Sequence, residues 1–133
     1  SGQVYTLLNC KSGTALGLSG LDSRSIVGSI PRGLDEQWKL EQPRGSGMAW
    51  RFRSMGSGKY LDFEDDAREG TRVIGSRVPR NWKMRRDEAC PSTFRIYVPK
   101  MSLNVELVNG DGSPGAAITL EGYTPDKSQV WRF

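Results

Sequence analysis

The chain carries an internal repeat with a period near 44 residues, and this period restricts the folds open to it more than any other feature. An aromatic residue opens each unit at Tyr5, Trp50 and Phe94, which are 45 and 44 residues apart. A tryptophan closes each unit, and these closing residues are Trp38, Trp82 and Trp131. A period of this length predicts one small unit repeated three times, because each unit is too short to bury a core alone.

Within each unit, a short run places two apolar side chains on either side of one variable residue. The three runs are Leu16-Gly17-Leu18, Leu61-Asp62-Phe63 and Val105-Glu106-Leu107. This alternation has the period of two that is typical of a half-buried strand. We therefore expect the apolar residues of each run to face the core and the middle residues, Gly17, Asp62 and Glu106, to face outward.

The repeat and the turn residues together predict an all-β fold. The sixteen glycines and seven prolines interrupt the chain too often for long helices. Each unit reads as four short strands, so about twelve strands are expected in the chain. Three such units can close a barrel together and leave few open strand edges. We expect one domain over residues 1–133, with threefold pseudosymmetry, units at about 1–46, 47–90 and 91–133, and the closing tryptophans in the shared core.

The composition excludes several classes of function. The chain has no histidine, which removes the usual proton shuttle, the histidine-dependent nucleophiles and most zinc sites. It also lacks cofactor motifs and Gly-rich phosphate loops, so we expect no catalytic residue, no cofactor and no metal. No apolar run reaches the roughly 18 residues of a membrane span. Two cysteines and the absence of N-glycosylation acceptors favour the cytoplasm over secretion.

The positive charge of the chain is concentrated in its middle third. The net charge is +4, and residues 47–90 carry ten bases against seven acids. A basic surface attracts anionic glycans or nucleic acids. Acidic residues alternate with these arginines, however, so we expect a solvated, self-paired surface and no nucleic-acid partner.

Several segments resemble a known family. The second strands, Gly13-Thr14-Ala15-Leu16 and Gly58-Lys59-Tyr60-Leu61-Asp62, and the closing Gln-x-Trp element look like those of the ricin B-type lectins. The first unit is similar to small fungal, mushroom-type agglutinins at Val4–Thr6, Ser12–Leu16 and Asp22–Ile26. The resemblance covers the whole chain. It implies a β-trefoil that binds glycans or glycoconjugates of the galactose or N-acetylgalactosamine type without catalysis, and it leaves the oligomeric state open.

The resemblance also implies which residues bind sugar. In this family a carboxylate on the second strand accepts hydrogen bonds from sugar hydroxyls, an aromatic ring stacks on the sugar, and a polar side chain before the closing tryptophan completes the site. The first unit has a glycine in place of the carboxylate. The second unit offers Asp62 with Arg77 and Asn81, and the third offers Glu106 with Tyr123 and with an asparagine nearby. A charged hydrogen bond contributes more than a stacked ring, and a short aspartate is more constrained than a longer glutamate, so the better site is expected at Asp62.

Structural roles compete with sugar binding at several of these positions. Asp62 has an alternative role as a strand carboxylate that pairs with Arg51, Arg53 or Arg72. Under the sugar-binding interpretation Asp62 is a surface residue, whose replacement by alanine changes stability by no more than about 1 kcal/mol. Gln129 is expected to hydrogen-bond turn backbone rather than a ligand. Cys10 and Cys90 are expected to remain free thiols.

A protease inhibitor is the alternative function. β-Trefoil inhibitors present one exposed loop to a protease cleft, and the polar loops at 44–47 and 109–115 are candidates for such a loop. A basic residue at a rigid loop tip fits a trypsin-like pocket. The sequence alone does not separate this function from sugar binding, which stays the leading interpretation.

Overall fold

The computed structural model describes residues 2–45 and 47–133 and consists of short strands and brief 3-10 turns. Ser1 and Ser46 lie outside the described residues, and Ser46 belongs to the 44–47 loop and to the predicted boundary of the first unit. No helix in the described ranges is long and apolar enough to cross a membrane.

The strands fall into three sets of four. The first set is β1 Val4–Tyr5 with β2 Leu8–Asn9, β3 Ala15–Leu18, β4 Ile26–Ser29 and β5 Trp38–Glu41. The second set is β6 Arg51–Ser54, β7 Tyr60–Phe63, β8 Val73–Ser76 and β9 Lys83–Arg86. The third set is β10 Thr93–Tyr97, β11 Leu103–Leu107, β12 Ala116–Gly122 and β13 Trp131–Arg132. Because β1 and β2 are two pieces of one opening strand, the described chain contains the predicted twelve-strand pattern.

The opening and closing strands of the three units form a closed antiparallel barrel. β5 lies between β1 and β6, and β10 lies between β9 and β13. β13 also pairs with β2, and a bridge between Trp50 and Trp82 joins the second unit's opening and closing strands. Closure pairs each barrel strand on both sides and leaves none as a free edge.

The second and third strands of each unit form a hairpin, and the three hairpins cover one end of the barrel. The hairpins are β3–β4, β7–β8 and β11–β12. They are joined in a triangle by the pairs Ser25 with Ile74, Arg72 with Thr119, and Val27 with Ala117. This arrangement has the threefold pseudosymmetry predicted from the repeat.

The three closing tryptophans lie fully buried in the core, as predicted. Each indole Nε1–H donates to a backbone carbonyl oxygen on the second strand of its own unit. These bonds run from Trp38 to Leu16 at 2.8 Å, from Trp82 to Leu61 at 2.9 Å and from Trp131 to Val105 at 3.2 Å. The apolar residues that flank the middle of each run are also buried, which confirms the period-two interpretation.

Both cysteines are free thiols, as predicted. Burial raises the pKa of Cys10 above its ordinary value. A hydrogen bond with Ser92 lowers the pKa of Cys90, which is exposed. Cys90 is therefore the more readily ionised of the two thiols.

The core tryptophans generate a stability prediction. Trp131→Phe should lower the free energy of unfolding by about 2–4 kcal/mol, because it removes a buried hydrogen bond to Val105 and leaves a cavity. Urea unfolding measures the change. The matched control is Trp50→Phe, because Trp50 is only partly buried and no hydrogen bond of its indole is found among the described residues. The control should lose less than half as much stability, and equal losses would contradict the role assigned to the indole bond.

Candidate functional site

The strand register identifies equivalent positions in the three units. The residue two places before each closing tryptophan meets the middle residue of the second strand. The three pairs are Glu36 with Gly17, Arg80 with Asp62, and Gln129 with Glu106. The chemistry of each pair decides whether that unit presents an open carboxylate.

In the first unit, the side chain of Glu36 occupies the space above Gly17. A Cβ atom on Gly17 would lie 3.1 Å from Cγ of Glu36, which is tighter than ordinary contact. The Glu36 carboxylate is buried and accepts hydrogen bonds from the backbone N–H groups of Arg32 at 3.2 Å and Gly33 at 2.9 Å. Among the described residues, the first unit therefore presents no open carboxylate on the second strand.

In the second unit, the Asp62 carboxylate is already occupied by protein donors. Its oxygens accept from Arg80 Nε at 2.7 Å, from Ser76 Oγ at 2.7 Å and from the Phe63 backbone N–H at 2.8 Å. The Arg80 guanidinium also lies over the Phe63 ring, 4.2 Å from its centroid. Asp62 is only 5% exposed, so the expectation that it is a surface residue is wrong.

The expected partners of Asp62 are also wrong, because sequence alone did not show that Arg80 folds back over the second strand. Arg51 Nε instead donates to Asn81 Oδ1 at 3.0 Å, and Arg53 Nε donates to the Gly58 carbonyl. The middle strand residues do lie on the face opposite the core. Arg80, however, covers the acid that was expected to meet solvent there.

The two other residues expected at the second-unit site are held in separate interactions. Arg77 is exposed, and its Nη1 donates to the Ser57 carbonyl oxygen at 3.0 Å. Asn81 lines a shallow cavity with Arg80 and Phe63, but Arg77 does not line it. The structure therefore does not gather Arg77, Asn81 and Asp62 around one open cleft.

In the third unit, Glu106 is half-buried, and one of its oxygens accepts from Gln129 Nε2 at 2.8 Å. Gln129 also donates to the Gly122 carbonyl and accepts from the Thr124 backbone N–H at 3.1 Å, which confirms that it bonds turn backbone. Its oxygen further accepts from Arg95 Nη1 at 3.0 Å. Gln129 thus connects Glu106 to the residues of a neighbouring cleft.

That cleft, the Tyr123 cleft, has a volume of about 480 Å³. It lies between β9, β10 and β11 and the segment that follows β12. Its lining residues are Arg85, Arg86, Asp87, Glu88, Arg95, Tyr97, Met101, Ser102, Asn104 and Tyr123. Tyr123 is 52% exposed, so one apolar ring of the cleft is open to a ligand.

The Tyr123 ring rests on a buried cation. The Arg95 guanidinium lies 4.6 Å from the ring centroid, and Arg95 is only 2% exposed. Arg95 also donates to Asp87 Oδ1 at 3.1 Å and to the Thr124 carbonyl at 2.8 Å. A cation fixed in this way holds the ring through a cation–π contact and limits its movement.

Asp87 balances the charge of Arg95. Its second oxygen accepts from Lys127 Nζ at 3.0 Å, so two cations share one buried carboxylate. Burial raises the pKa of Asp87, but the hydrogen bonds and charges of Lys127 and Arg95 outweigh it, and the pKa lies below its usual value. Asp87 is therefore ionised at neutral pH and committed to these partners.

Asn104 is a nearly buried polar residue of the cleft whose side chain has no hydrogen-bond partner among the described residues. It is 3% exposed and lies beside Tyr97 in the β10–β11 pairing. No described residue donates to or accepts from its side-chain amide, and every fully buried side-chain polar atom in the described ranges has a partner. The amide is therefore not fully closed off, and because Asn104 lines the cleft, it can donate to and accept from a ligand there.

Sequence reasoning placed Asn104 near the third site but found no role for Arg85, Arg95 or Tyr97. The tyrosine and the two arginines lie on barrel strands rather than at the positions used by the family pattern. The sequence alone does not identify these residues, because their proximity depends on the register that places Arg85 of β9 opposite Arg95 of β10.

The Asp87 network generates a pH prediction. Asp87→Asn should lower the free energy of unfolding at neutral pH by about 3 kcal/mol, because it leaves the buried Arg95 charge without a carboxylate. The folded pKa of Asp87 is depressed, so its contribution is present above the unfolded pKa and is lost as pH falls through the folded value. The difference between parent and variant should therefore shrink below about pH 4.

Urea unfolding from neutral to acidic pH measures this difference. Glu88→Gln is the matched control, because Glu88 is the neighbouring acid of the cleft and is exposed. The control should change stability by less than about 0.5 kcal/mol. A difference between parent and Asp87→Asn that stays constant down to acidic pH would contradict the ion pair.

Known proteins resemble this chain in both sequence and structure. The family model of the ricin-type β-trefoil lectin domain matches residues 1–76 and 34–121. The Macrolepiota procera ricin B-like lectin, solved in complex with lactose, is 38% identical with a TM-score of 0.94 over 99% of this chain and 94% of that chain. No curated protein matches the sequence.

Two more distant structures share the fold. The Rhizoctonia solani agglutinin is 20% identical, with a TM-score of 0.90 over 100% of this chain and 94% of that chain. The designed threefold-symmetric protein ThreeFoil is 21% identical, with a TM-score of 0.86 over 97% of this chain and 96% of that chain. The protease-inhibitor alternative receives no support from these comparisons. The chain belongs to the ricin-type β-trefoil lectin family, and it is a carbohydrate-binding protein.

Proposed function

We propose that the protein binds a galactose-type glycan in the Tyr123 cleft and acts by recognition, without catalysis. The observation that carries the proposal is the unpaired Asn104 amide beside the exposed Tyr123 ring. A pyranose presents a patch of C–H bonds on one face and hydroxyl groups on its edge. The ring can stack on that face, while the amide donates to and accepts from the hydroxyls.

The sugar class is supported by the related lectin from Macrolepiota procera. That protein was solved with lactose, a galactoside, and it is 38% identical to this chain. The cleft is also wide enough for a disaccharide, since small-molecule sites begin at about 300 Å³ and this one measures about 480 Å³.

The third unit is a better candidate than the second because its groups are available. Asp62 would have to exchange its bonds to Arg80 and Ser76 for bonds to a sugar, whereas Asn104 has no such bonds to lose. Glu106 lies outside the lining of the cleft, and Gln129 connects it to Arg95 through hydrogen bonds to both residues. Asp62, with Arg77 and Asn81 nearby, stays the second candidate position.

Binding without catalysis is supported by the acids of the cleft. Glycoside hydrolysis uses two carboxyl groups, one of which must donate or accept a proton. Of the two acids that line the cleft, Asp87 is held by Arg95 and Lys127. Glu88 is then the remaining acid of the lining, and a single carboxyl group does not supply that pair.

Two single substitutions test the location of the site. Tyr123→Ala should weaken lactose binding because it removes the stacking ring. The loss should be about 0.5–1.5 kcal/mol in addition to the energy lost with the smaller buried area. Asn104→Ala should weaken it by about 1 kcal/mol, because one or more neutral hydrogen bonds are lost. Isothermal titration calorimetry with lactose measures both changes.

Val78→Ala is the matched control, since Val78 is an exposed apolar residue at the equivalent place in the second unit. It should bind lactose like the parent. Asp62→Asn tests the competing position and keeps the shape of the side chain. If Asp62→Asn abolishes binding while Tyr123→Ala and Asn104→Ala bind normally, the sugar site lies in the second unit.

A further inference from the structure

We infer that the glycan bound in the Tyr123 cleft carries an acidic group, a carboxylate or a sulfate ester, which binds the guanidinium of Arg85. The inference rests on the proposed function and adds the class of sugar that the cleft selects. Four observations carry it: the register of β9 and β10, the charge balance of the cleft, the position of Arg85 beside Tyr123, and its exposure.

The register places two arginines directly opposite each other. Arg85 on β9 pairs with Arg95 on β10. Like charges at directly opposite positions of an antiparallel pair are destabilising. The threefold-equivalent position has opposite charges, since Glu41 on β5 pairs with Arg51 on β6, although Lys39 and Arg53 of the same strands also face each other. The cleft thus has a cation where the same architecture elsewhere has an acid.

The neighbouring charges do not neutralise Arg85. Asp87 is committed to Arg95 and Lys127, both of which donate to it. Arg85 forms no hydrogen bond or ion pair with any described residue, and its guanidinium lies over the Tyr123 ring. With Arg86 also in the lining and Glu88 as the other acid, the cleft carries an excess of positive charge.

The position of Arg85 fits a substituent on a stacked sugar. Its guanidinium carbon lies 5.7 Å from the Tyr123 ring centroid, so a sugar stacked on that ring would bring an exocyclic group within reach. A guanidinium presents parallel N–H donors that match the two oxygens of a carboxylate or a sulfate. Arg85 is exposed, so it keeps its own hydration until such a group displaces it.

The test compares neutral and acidic galactosides on the same protein. Calorimetric titrations use lactose, sialyllactose and sulfated lactose at low and at moderate ionic strength. At low salt at least one acidic ligand should bind about tenfold more tightly than lactose, as expected for a charge-assisted hydrogen bond. The preference should weaken as salt screens the charge. The two acidic ligands show whether a carboxylate or a sulfate is selected.

Arg85→Gln should bring the ratio of acidic to neutral affinity close to one. Arg32→Gln is the matched control, because it removes one exposed arginine in the first unit and the same net charge. The control should keep the ratio of the parent. A parent ratio near one, or a ratio that Arg85→Gln leaves unchanged, would overturn the inference.

The two proposals fail in different ways. If lactose binding depends on Tyr123 but acidic ligands bind no more tightly, only the acidic-glycan inference is overturned. If Tyr123→Ala and Asn104→Ala leave the affinity for every ligand unchanged, the cleft is not the sugar site and both proposals fall.

Discussion

A hydrogen bond from a buried indole to a strand carbonyl, repeated in each unit, is the interaction on which the rest of the structure depends. Trp38, Trp82 and Trp131 each tie the closing strand of a unit to its second strand. A tryptophan N–H that is buried needs a partner, so the bond fixes the ring in one orientation within the core. The same bond places the residue two positions before each tryptophan over the middle residue of the second strand. In the second unit, for example, it places Arg80 over Asp62.

The paired positions above the core have diverged while the core has not. Glu36 fills the space over Gly17, and Arg80 covers Asp62 with an ion pair. In the third unit, Gln129 accepts a hydrogen bond from Arg95 and donates one to Glu106. Changing such a pair alters the surface chemistry of one unit without touching the buried tryptophan. A repeat fold can therefore lose a site in one unit and keep or relocate it in another.

The sequence predicts the fold because repeat length, alternation and turn residues all act locally. Leu61 and Phe63, for example, are identified as core residues by the period of two and are buried. The partner of Asp62 was not predictable in this way, because Arg80 reaches it from 18 residues further along the chain. Sequence spacing did not reveal the Tyr123 cleft, since it depends on register between strands of different units.

The cleft combines a directly opposed pair of arginines with a nearly buried amide that has no hydrogen-bond partner among the described residues. Opposite charges face each other at Glu41 and Arg51, whereas like charges face each other at Arg85 and Arg95. The Asn104 amide, which has no hydrogen-bond partner among the described residues, opens onto the same cleft. The like-charge pair lowers stability unless an anion lies near it, and the open amide can exchange hydrogen bonds with solvent for hydrogen bonds with a ligand. Two such features in one cavity are typical of a site shaped for a ligand, because a bound molecule can supply both an acidic group and hydrogen-bond partners.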